Sequence, residues 1–182
     1  MVAPLLLALA LSAHVVVAEA APGNELLGKT AQPWEAAEWI NSPPLALADL
    51  RGKVVLVRWF TSPDCPYCSA TAPALNQLDA DFRARGLVVV GMYHHKAKSP
   101  LELKQVRGWV GDYKFAFPVA VDRDWRTLHR WWLDGRERDF TSVSFLIDKK
   151  GFIRRIHQGG SMALGTKDYS EMRAAIGRLV TE

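Results

Sequence analysis

Residues 64–68 read Asp-Cys-Pro-Tyr-Cys and contain the only two cysteines of this 182-residue chain. The motif follows residues 54–60, whose nearly continuous apolar run predicts a buried central strand. A helix is predicted over residues 65–85, with Gly86 in the position that often ends a helix. The two cysteines therefore lie where a buried strand passes into the first turn of a helix.

The spacing of the two cysteines suits the exchange of thiols and disulfides. Unsatisfied N–H groups and the partial positive charge at the helix start favour a thiolate at Cys65, and the thiolate is the nucleophile. Cys68 lies one turn further along the same helical face, close enough to attack a mixed disulfide on Cys65. Pro66 fits the first helical turn, where its missing N–H costs nothing, and Tyr67 is expected to be exposed beside the sulfur. We therefore predict that Cys65 attacks and Cys68 resolves.

Two charged residues near the motif are expected to act in opposite directions. The carboxylate of Asp64 disfavours a thiolate at the neighbouring Cys65. Arg58, on the preceding strand, favours a thiolate if its side chain points toward the helix start. The residue types alone leave the sum of the two effects open.

A structural disulfide and a metal site are alternatives for the cysteine pair. A disulfide between such close neighbours closes almost no loop and so adds little stability. A zinc site would need histidines or a second cysteine pair, and the chain has no second pair. His94 and His95 are adjacent at a strand end and would point to opposite faces, whereas His129 and His157 are isolated in the sequence. We interpret the histidines as surface or hydrogen-bonded residues and predict neither a metal nor an organic cofactor.

The rest of the chain alternates between predicted strands and helices, which implies a three-layer α/β sandwich with a mixed sheet. Trp125 and Trp132 recur at helical spacing within residues 124–133, so both are expected to pack into the core. Trp131 would then point elsewhere, where it could contact a partner. The remaining predictions are a loop with a short strand over residues 24–49, strands at 87–93 and 117–121, helices at 100–113, 124–133 and 169–180, and a hairpin of strands at 145–148 and 152–157.

Composition argues against one broad class of function. The net charge is +4 and the pI is near 9.2, but basic and acidic residues are interleaved, as in Asp122-Arg123-Asp124. Such mixing is typical of a solvated surface, so nucleic acid binding is not expected. A hydrophobic content of 49% is sufficient for a packed domain.

The first twenty residues predict export. Residues 5–17 are almost entirely apolar, but the run is shorter than the roughly 20 residues that a membrane-spanning helix needs. Residues 18–20 then read Ala-Glu-Ala, the small-x-small pattern of a signal-peptide cleavage site. We predict a signal peptide at 1–20, a lead-in at 21–44 and one domain at 45–182. The expected location is periplasmic or otherwise extracytoplasmic, with an uncleaved membrane anchor as the alternative.

Four features of the chain belong together. They are Leu-Arg-Gly-Lys-Val-Val-Leu-Val at residues 50–57, the CxxC motif at a strand–helix junction, Pro73 as a helix kink five residues after Cys68, and Ser-Phe-Leu-Ile-Asp at residues 144–148 leading into Gly151. On these features the chain resembles, from about residue 45 to 180, the thioredoxin-fold redoxins, in particular the exported disulfide reductases of the TlpA type.

The resemblance implies a thioredoxin-like three-layer α/β/α sandwich with a mixed central sheet, and reduction of protein disulfides by the dithiol. It also implies two partners, a client protein with a disulfide and an upstream thiol donor, such as a membrane electron-transfer protein.

Three positions depart from the family pattern. Asp64 replaces the tryptophan that usually precedes the first cysteine, and Arg58 stands where thioredoxins often carry a buried acid that moves protons. Ser142, after Thr141, occupies the position of the family's cis-proline. A cis bond before a residue other than proline costs about 2.5–4 kcal/mol, so we expect this bond to be trans and substrate docking to differ accordingly.

Two other functions are alternatives. Peroxiredoxins share the fold and also lack proline at the position of Ser142. Their signature has a proline seven residues before the reactive cysteine and a threonine or serine three residues before it. Ser62 fits the second of these positions, but Arg58 occupies the first. In a thiol peroxidase, Cys65 would attack a hydroperoxide and Cys68 would condense with the resulting sulfenic acid. The other alternative is a non-catalytic binding module, or a copper carrier that uses both cysteines and one histidine. Copper carriers of this fold usually have three residues between the cysteines, whereas this chain has two.

Overall fold

The computed structural model of the chain describes residues 21–135, 138 and 140–182, so the signal peptide predicted at 1–20 lies outside the described residues. None of the described helices is long and apolar enough to cross a membrane. The strands are β1 (Glu38–Ile40), β2 (Val54–Phe60), β3 (Leu87–Tyr93), β4 (Val119–Val121), β5 (Ser144–Ile147) and β6 (Ile153–His157). The helices are α1 (Pro66–Phe82), α2 (Leu103–Asp112), α3 (Arg126–Leu128), which continues into a π-helical turn (His129–Leu133), and α4 (Lys167–Leu179), with short 3-10 helices at Asn24–Leu26, Leu47–Leu50 and Arg83–Arg85.

The strands form one mixed sheet in the order β1-β4-β3-β2-β5-β6. β2 is parallel to β3 and antiparallel to β5, and β5 forms an antiparallel hairpin with β6. β1, from the lead-in, pairs antiparallel with β4 at the other edge. Arg58 near the end of β2 pairs with Ser144 at the start of β5. The segment before β5 therefore reaches the same end of the sheet at which the CxxC motif leaves β2.

The side chains of β2 alternate between two hydrophobic clusters. Leu56 and Phe60 belong to the cluster beneath α1, α2 and α4, whereas Val57 and Trp59 belong to the cluster on the opposite face, which the lead-in, α3 and the π-helical turn cover. The alternation places Arg58 on the face of α1. Both faces of the sheet are covered, which confirms the predicted three-layer architecture.

Helix α1 begins and ends as its sequence predicts. Cys65 is the N-cap, Pro66 is the first helical residue, and Pro73 lies inside the helix. A 3-10 turn at Arg83–Arg85 extends it to Gly86, which has a φ of 98°. Such a left-handed backbone favours glycine, so Gly86 is the residue that ends the helix.

The strands predicted at 54–60 and 87–93 are confirmed as β2 and β3, and the predicted hairpin is confirmed as β5 and β6. Helix α2 is shorter than the helix predicted at 100–113 because Glu102 has an extended backbone, with φ −110° and ψ 113°. β4 covers only the second half of the strand predicted at 117–121. These differences move boundaries and leave the order of the elements unchanged.

The prediction that Trp131 points away from the core is wrong. Trp131 is exposed to only 4%, and its neighbour Trp132 is fully buried. The helix widens here, since the N–H of Asp134 bonds to the carbonyl of His129, five residues back, at 2.8 Å. The lead-in then covers the outer side of the turn, where Trp34 stacks on Trp131 with 6.5 Å between the ring centroids. Trp131 and Trp132 are therefore both buried. The lead-in covers Trp131, and the helical spacing of residues 124–133 does not indicate this contact.

Candidate active site

The two cysteines differ in exposure. Cys65 is partly exposed at the N-cap of α1, whereas Cys68 is exposed to only 3% and belongs to the cluster beneath the helix. Both are free thiols, and the backbone N–H of Cys68 donates a hydrogen bond to Sγ of Cys65 at 3.3 Å. Tyr67 between them is exposed to 54%, as predicted. An incoming disulfide can therefore reach Cys65 directly and Cys68 only by way of Cys65.

Burial raises the pKa of Cys68 to about 11. The hydrogen bond and the charge interaction with Cys65 act in the same direction, while a backbone hydrogen bond from Thr61 and the positive charge of Arg58 act to lower that pKa. Cys68 is therefore a protonated thiol at neutral pH. It becomes a nucleophile only when its proton is removed.

Arg58 is buried on the face of β2 that α1 covers, with an exposed fraction of 1%. Its Nη1 lies 3.2 Å from Oγ of Ser144 and 3.2 Å from Nδ1 of His157, and its Nη2 donates to the carbonyl of Gly160 at 2.9 Å. Burial lowers the pKa of Arg58 to about 10, and the negative charge of the thiolates opposes this effect. The guanidinium thus remains charged at neutral pH, and its charge interacts with both cysteines.

A buried histidine holds the segment that precedes β5. Nε2 of His94 lies 2.8 Å from Oγ1 of Thr141, and the His94 ring meets the indole of Trp125 edge-on, with 5.0 Å between centroids. The bond between Thr141 and Ser142 is trans, as expected, since the described residues contain no cis peptide bond. His94 therefore holds the side chain of Thr141, the residue before the position at which the redoxin family carries its cis-proline.

The stability of the protein is expected to fall between pH 6.5 and pH 3 because of His94. Burial, together with the charges of Lys96 and Arg58, lowers the pKa of His94 to about 3. The unfolded chain binds a proton at this side chain near pH 6.5 and the folded chain does not, which costs about 2 kcal/mol at pH 5. Urea unfolding at pH 7 and pH 5 should show a smaller loss for His94→Gln than for the wild type. Thr141→Val, which removes the same hydrogen bond but no titrating group, should retain the loss, and equal losses in wild type and His94→Gln would contradict the prediction.

A tyrosine that sequence reasoning missed supports the loop before the motif. The hydroxyl of Tyr113 donates to the carbonyls of Thr61 and Ser62, at 3.2 and 2.8 Å. The Ser62 carbonyl also accepts the N–H of Cys65 at 3.0 Å. Asp64 is exposed, and its carboxylate accepts a hydrogen bond from the Ser62 hydroxyl at 3.3 Å. Tyr113 follows the end of α2, and no pattern in the sequence indicates that it reaches this loop.

The described histidines are hydrogen-bonded, as we interpreted them from the sequence. His157 was isolated in the sequence, but the fold brings it to Arg58, and its Nε2 lies 3.4 Å from Oδ2 of Asp168. In the part of the chain that the structure describes, no group of three or more His, Cys, Asp and Glu side chains is arranged to hold a metal ion. The other contacts are His94 with Thr141, His95 with the Tyr93 hydroxyl and the Ser99 carbonyl, and His129 with Asp134.

A partly exposed cysteine that caps a helix on a mixed sheet, with a sheltered cysteine three residues later, defines a thioredoxin-like protein. Residues 27–156 match the AhpC/TSA family, and the chain belongs to this family. The solved thioredoxin-like superfamily protein SPOA0173 is 30% identical, with a TM-score of 0.67 over 84% of this chain and 97% of that one. A secreted disulfide oxidoreductase of Mycobacterium tuberculosis has the same fold at 20% identity, with a TM-score of 0.59 over 86% of this chain and 99% of that one. These findings confirm the predicted fold class and the resemblance to the redoxins.

Three curated relatives match different shares of this chain. Protein DipZ of Mycobacterium bovis is 26% identical over 147 residues, which are 79% of this chain and 19% of DipZ. The thiol-disulfide oxidoreductase ResA of Bacillus thuringiensis is 25% identical over 114 residues, 63% of this chain and 60% of ResA. A relative in Mycobacterium tuberculosis with a peroxiredoxin name is 26% identical over 116 residues, 60% of this chain and 70% of that protein. The chain thus spans about a fifth of the length of DipZ and less than two thirds of ResA.

Proposed function

We propose that the chain is a thiol-disulfide oxidoreductase that reduces the disulfides of client proteins. The asymmetry of the dithiol carries this proposal: Cys65 is reachable at the start of α1, and Cys68 is sheltered behind it, with its N–H 3.3 Å from Sγ of Cys65. An attacking thiol must meet the client, whereas a resolving thiol must meet only its neighbour. The relative ResA, named a thiol-disulfide oxidoreductase, supports the same reaction.

The reaction takes place in two exchanges. The thiolate of Cys65 attacks one sulfur of the client disulfide, and the other client sulfur leaves as a thiolate. Cys68 then loses its proton and attacks Sγ of Cys65, so that the bond to the client breaks and the second client sulfur leaves and is protonated. Two electrons have passed from the dithiol to the client, and the protein holds a Cys65–Cys68 disulfide.

The new disulfide must be reduced before the next cycle. This requires an upstream thiol donor and no organic cofactor. The signal-peptide pattern of residues 1–20 supports an extracytoplasmic location for the domain at 45–182 and the lead-in at 21–44. Disulfides persist in such compartments, where reducing equivalents must be delivered across a membrane. A membrane electron-transfer protein therefore fits the role of the donor.

A thiol peroxidase is the second candidate function. One relative carries a peroxiredoxin name, and Ser62 lies three residues before Cys65, as in the peroxiredoxin signature. In that reaction the thiolate of Cys65 displaces water or an alcohol from a hydroperoxide, and Cys68 condenses with the sulfenic acid to release water. Arg58 at the position of the signature proline argues against this candidate.

The reduced protein is expected to reduce insulin disulfides and to consume hydrogen peroxide far more slowly. Insulin precipitation with dithiothreitol measures the first rate, and the loss of peroxide measures the second. Cys65→Ser is the matched control, because it removes only the attacking sulfur and should abolish insulin reduction. Rapid peroxide turnover with negligible insulin reduction would identify the peroxidase instead. Equal behaviour of the wild type and the control in both assays would contradict both functions.

A further inference from the structure

Arg58 has a buried hydrogen-bonding atom, Nε, that finds no partner among the described residues. Its Nη1 and Nη2 are bonded to Ser144, His157 and Gly160. The Nε–H is buried and has no hydrogen-bond partner among the described residues. A buried unpaired donor on a buried cation lowers stability, so it calls for an explanation, and a redox or catalytic role is one such explanation. The guanidinium is therefore held through Nη1 and Nη2, while its Nε is buried and unpaired in the described part of the chain.

The two thiols lie close enough to Arg58 to interact with its charge. Arg58 and the buried Cys68 lie on the same face of the sheet, beneath α1. The positive charge of Arg58 acts to lower the pKa of the buried Cys68 thiol, against the effect of burial. The groups that bond the guanidinium, from Ser144, His157 and Gly160, bring no negative charge. A thiolate at Cys68 would supply the negative charge that these groups lack.

His157 fixes the position of the guanidinium through its tautomer. Arginine has only donors, so Nδ1 of neutral His157 must accept the hydrogen bond from Nη1 of Arg58. The ring proton is then on Nε2, which points to the carboxylate of Asp168, 3.4 Å away on α4. His157 is itself buried, with an exposed fraction of 8%. Arg58 is thus held by a histidine whose orientation the last helix sets.

We propose that Arg58 is the counter-charge of the Cys68 thiolate and that His157 is the positioning residue that holds the guanidinium for this role. The inference rests on the proposed disulfide exchange. When the mixed disulfide is resolved, the S–H bond of Cys68 breaks, its proton goes to solvent, and its sulfur attacks Sγ of Cys65. The client sulfur leaves with the electron pair of the broken S–S bond. Arg58 is already in place when charge develops on Cys68, so no rearrangement is needed to stabilise it.

A small aromatic disulfide, dithiobis(nitrobenzoate), separates this step from the initial attack. The reduced full-length protein would release one nitrothiobenzoate when Cys65 attacks and a second when Cys68 resolves the adduct. Stopped-flow absorbance would record both phases over a range of pH. The reagent replaces the client, so the assay does not depend on whether the protein reduces client disulfides.

The second phase is expected to slow in Arg58→Met by roughly 3- to 50-fold, and by more than the first phase. This range follows from loss of a charge that shifts a neighbouring pKa by about 1–3, partly offset by the greater nucleophilicity of a more basic thiolate. Methionine is chosen because an apolar residue of similar volume often replaces a buried ion without loss of stability. Arg58→Lys should recover part of the rate.

His157 gives an independent test that leaves Arg58 in the chain. His157→Leu removes the acceptor and should slow the second phase, while His157→Asn, with an oxygen near the place of Nδ1, should recover it. A role in packing alone would not give recovery by Arg58→Lys or His157→Asn. Thermal unfolding would show which variants are folded, and if Arg58→Met is not, the His157 pair decides the question.

Second-phase rates within twofold of the wild type, in folded Arg58→Met or in His157→Leu, would overturn the proposal. Failure of the wild type to reduce insulin, with the Arg58 effect intact, would overturn the proposed function and leave this inference standing. Insulin reduction by the wild type, with no effect of the Arg58 substitution on the second phase, would overturn this inference and leave the proposed function standing. The two proposals therefore fail separately.

Discussion

Replacement of Cys68 by serine is expected to convert the protein from a catalyst into a trap for its client. Cys65 would still attack the client disulfide, but no internal thiol would release the product. Turnover of insulin should fall by roughly 10³-fold, because the variant loses an intramolecular attack with a high effective concentration. Serine keeps the backbone N–H that bonds Sγ of Cys65. Non-reducing gels and mass spectrometry should show a covalent adduct of one protein chain with one client chain.

The Cys65→Ser variant is the control for the trap. It retains Cys68, which is buried and protonated at neutral pH, so no adduct is expected. An adduct with Cys65→Ser and none with Cys68→Ser would show that the roles of the two sulfurs are reversed. Absence of an adduct in both variants would contradict the exchange mechanism.

The Trp131→Ala variant is expected to lose about 3–5 kcal/mol of unfolding free energy, the usual cost of truncating a large buried aromatic side chain. The indole of Trp131 contacts Trp59 and Phe145 edge-on, with centroid distances of 5.5 and 5.2 Å, and stacks on Trp34. Its loss would leave a cavity between the lead-in and the sheet. Urea unfolding followed by circular dichroism would measure the change.

The controls use the same segment of the chain. Arg126→Ala, at a side chain exposed to 68%, should change the unfolding free energy by no more than about 0.5 kcal/mol. Trp131→Phe should cost less than Trp131→Ala, because it keeps an aromatic ring and removes an indole N–H that has no partner among the described residues. A loss below about 1 kcal/mol in Trp131→Ala would mean that this side chain is at the surface.

The central part of the fold could be predicted because its signals are local. β2, apart from Arg58, and β3 are nearly continuous apolar runs, and the helix between them ends at a glycine with a left-handed backbone. The layer on the opposite face could not be predicted in the same way. Its packing depends on Trp34 of the lead-in and on a π-helical turn, and a regular helical spacing indicated the wrong side for Trp131.

The candidate site also has a part that the sequence predicts and a part that it does not. The sulfurs, the exposed Tyr67 and the position of Arg58 follow from residues that are close in sequence. The contacts that support the site join residues that are far apart in the sequence. Tyr113 lies 51 positions from Ser62, and Thr141 lies 47 positions from His94. Tyrosine, threonine and histidine are common residues, so a single sequence does not identify these pairs.

The distance along the chain between Arg58 and His157 has a consequence for biosynthesis. The two residues are 99 positions apart. At a synthesis rate of about 5–20 residues per second, His157 is made about 5–20 s after Arg58. Until His157 has been made, the hydrogen bond between its Nδ1 and the Arg58 guanidinium cannot form. The dithiol motif is therefore synthesised well before its site is complete, and the site is completed only with the last strand of the sheet.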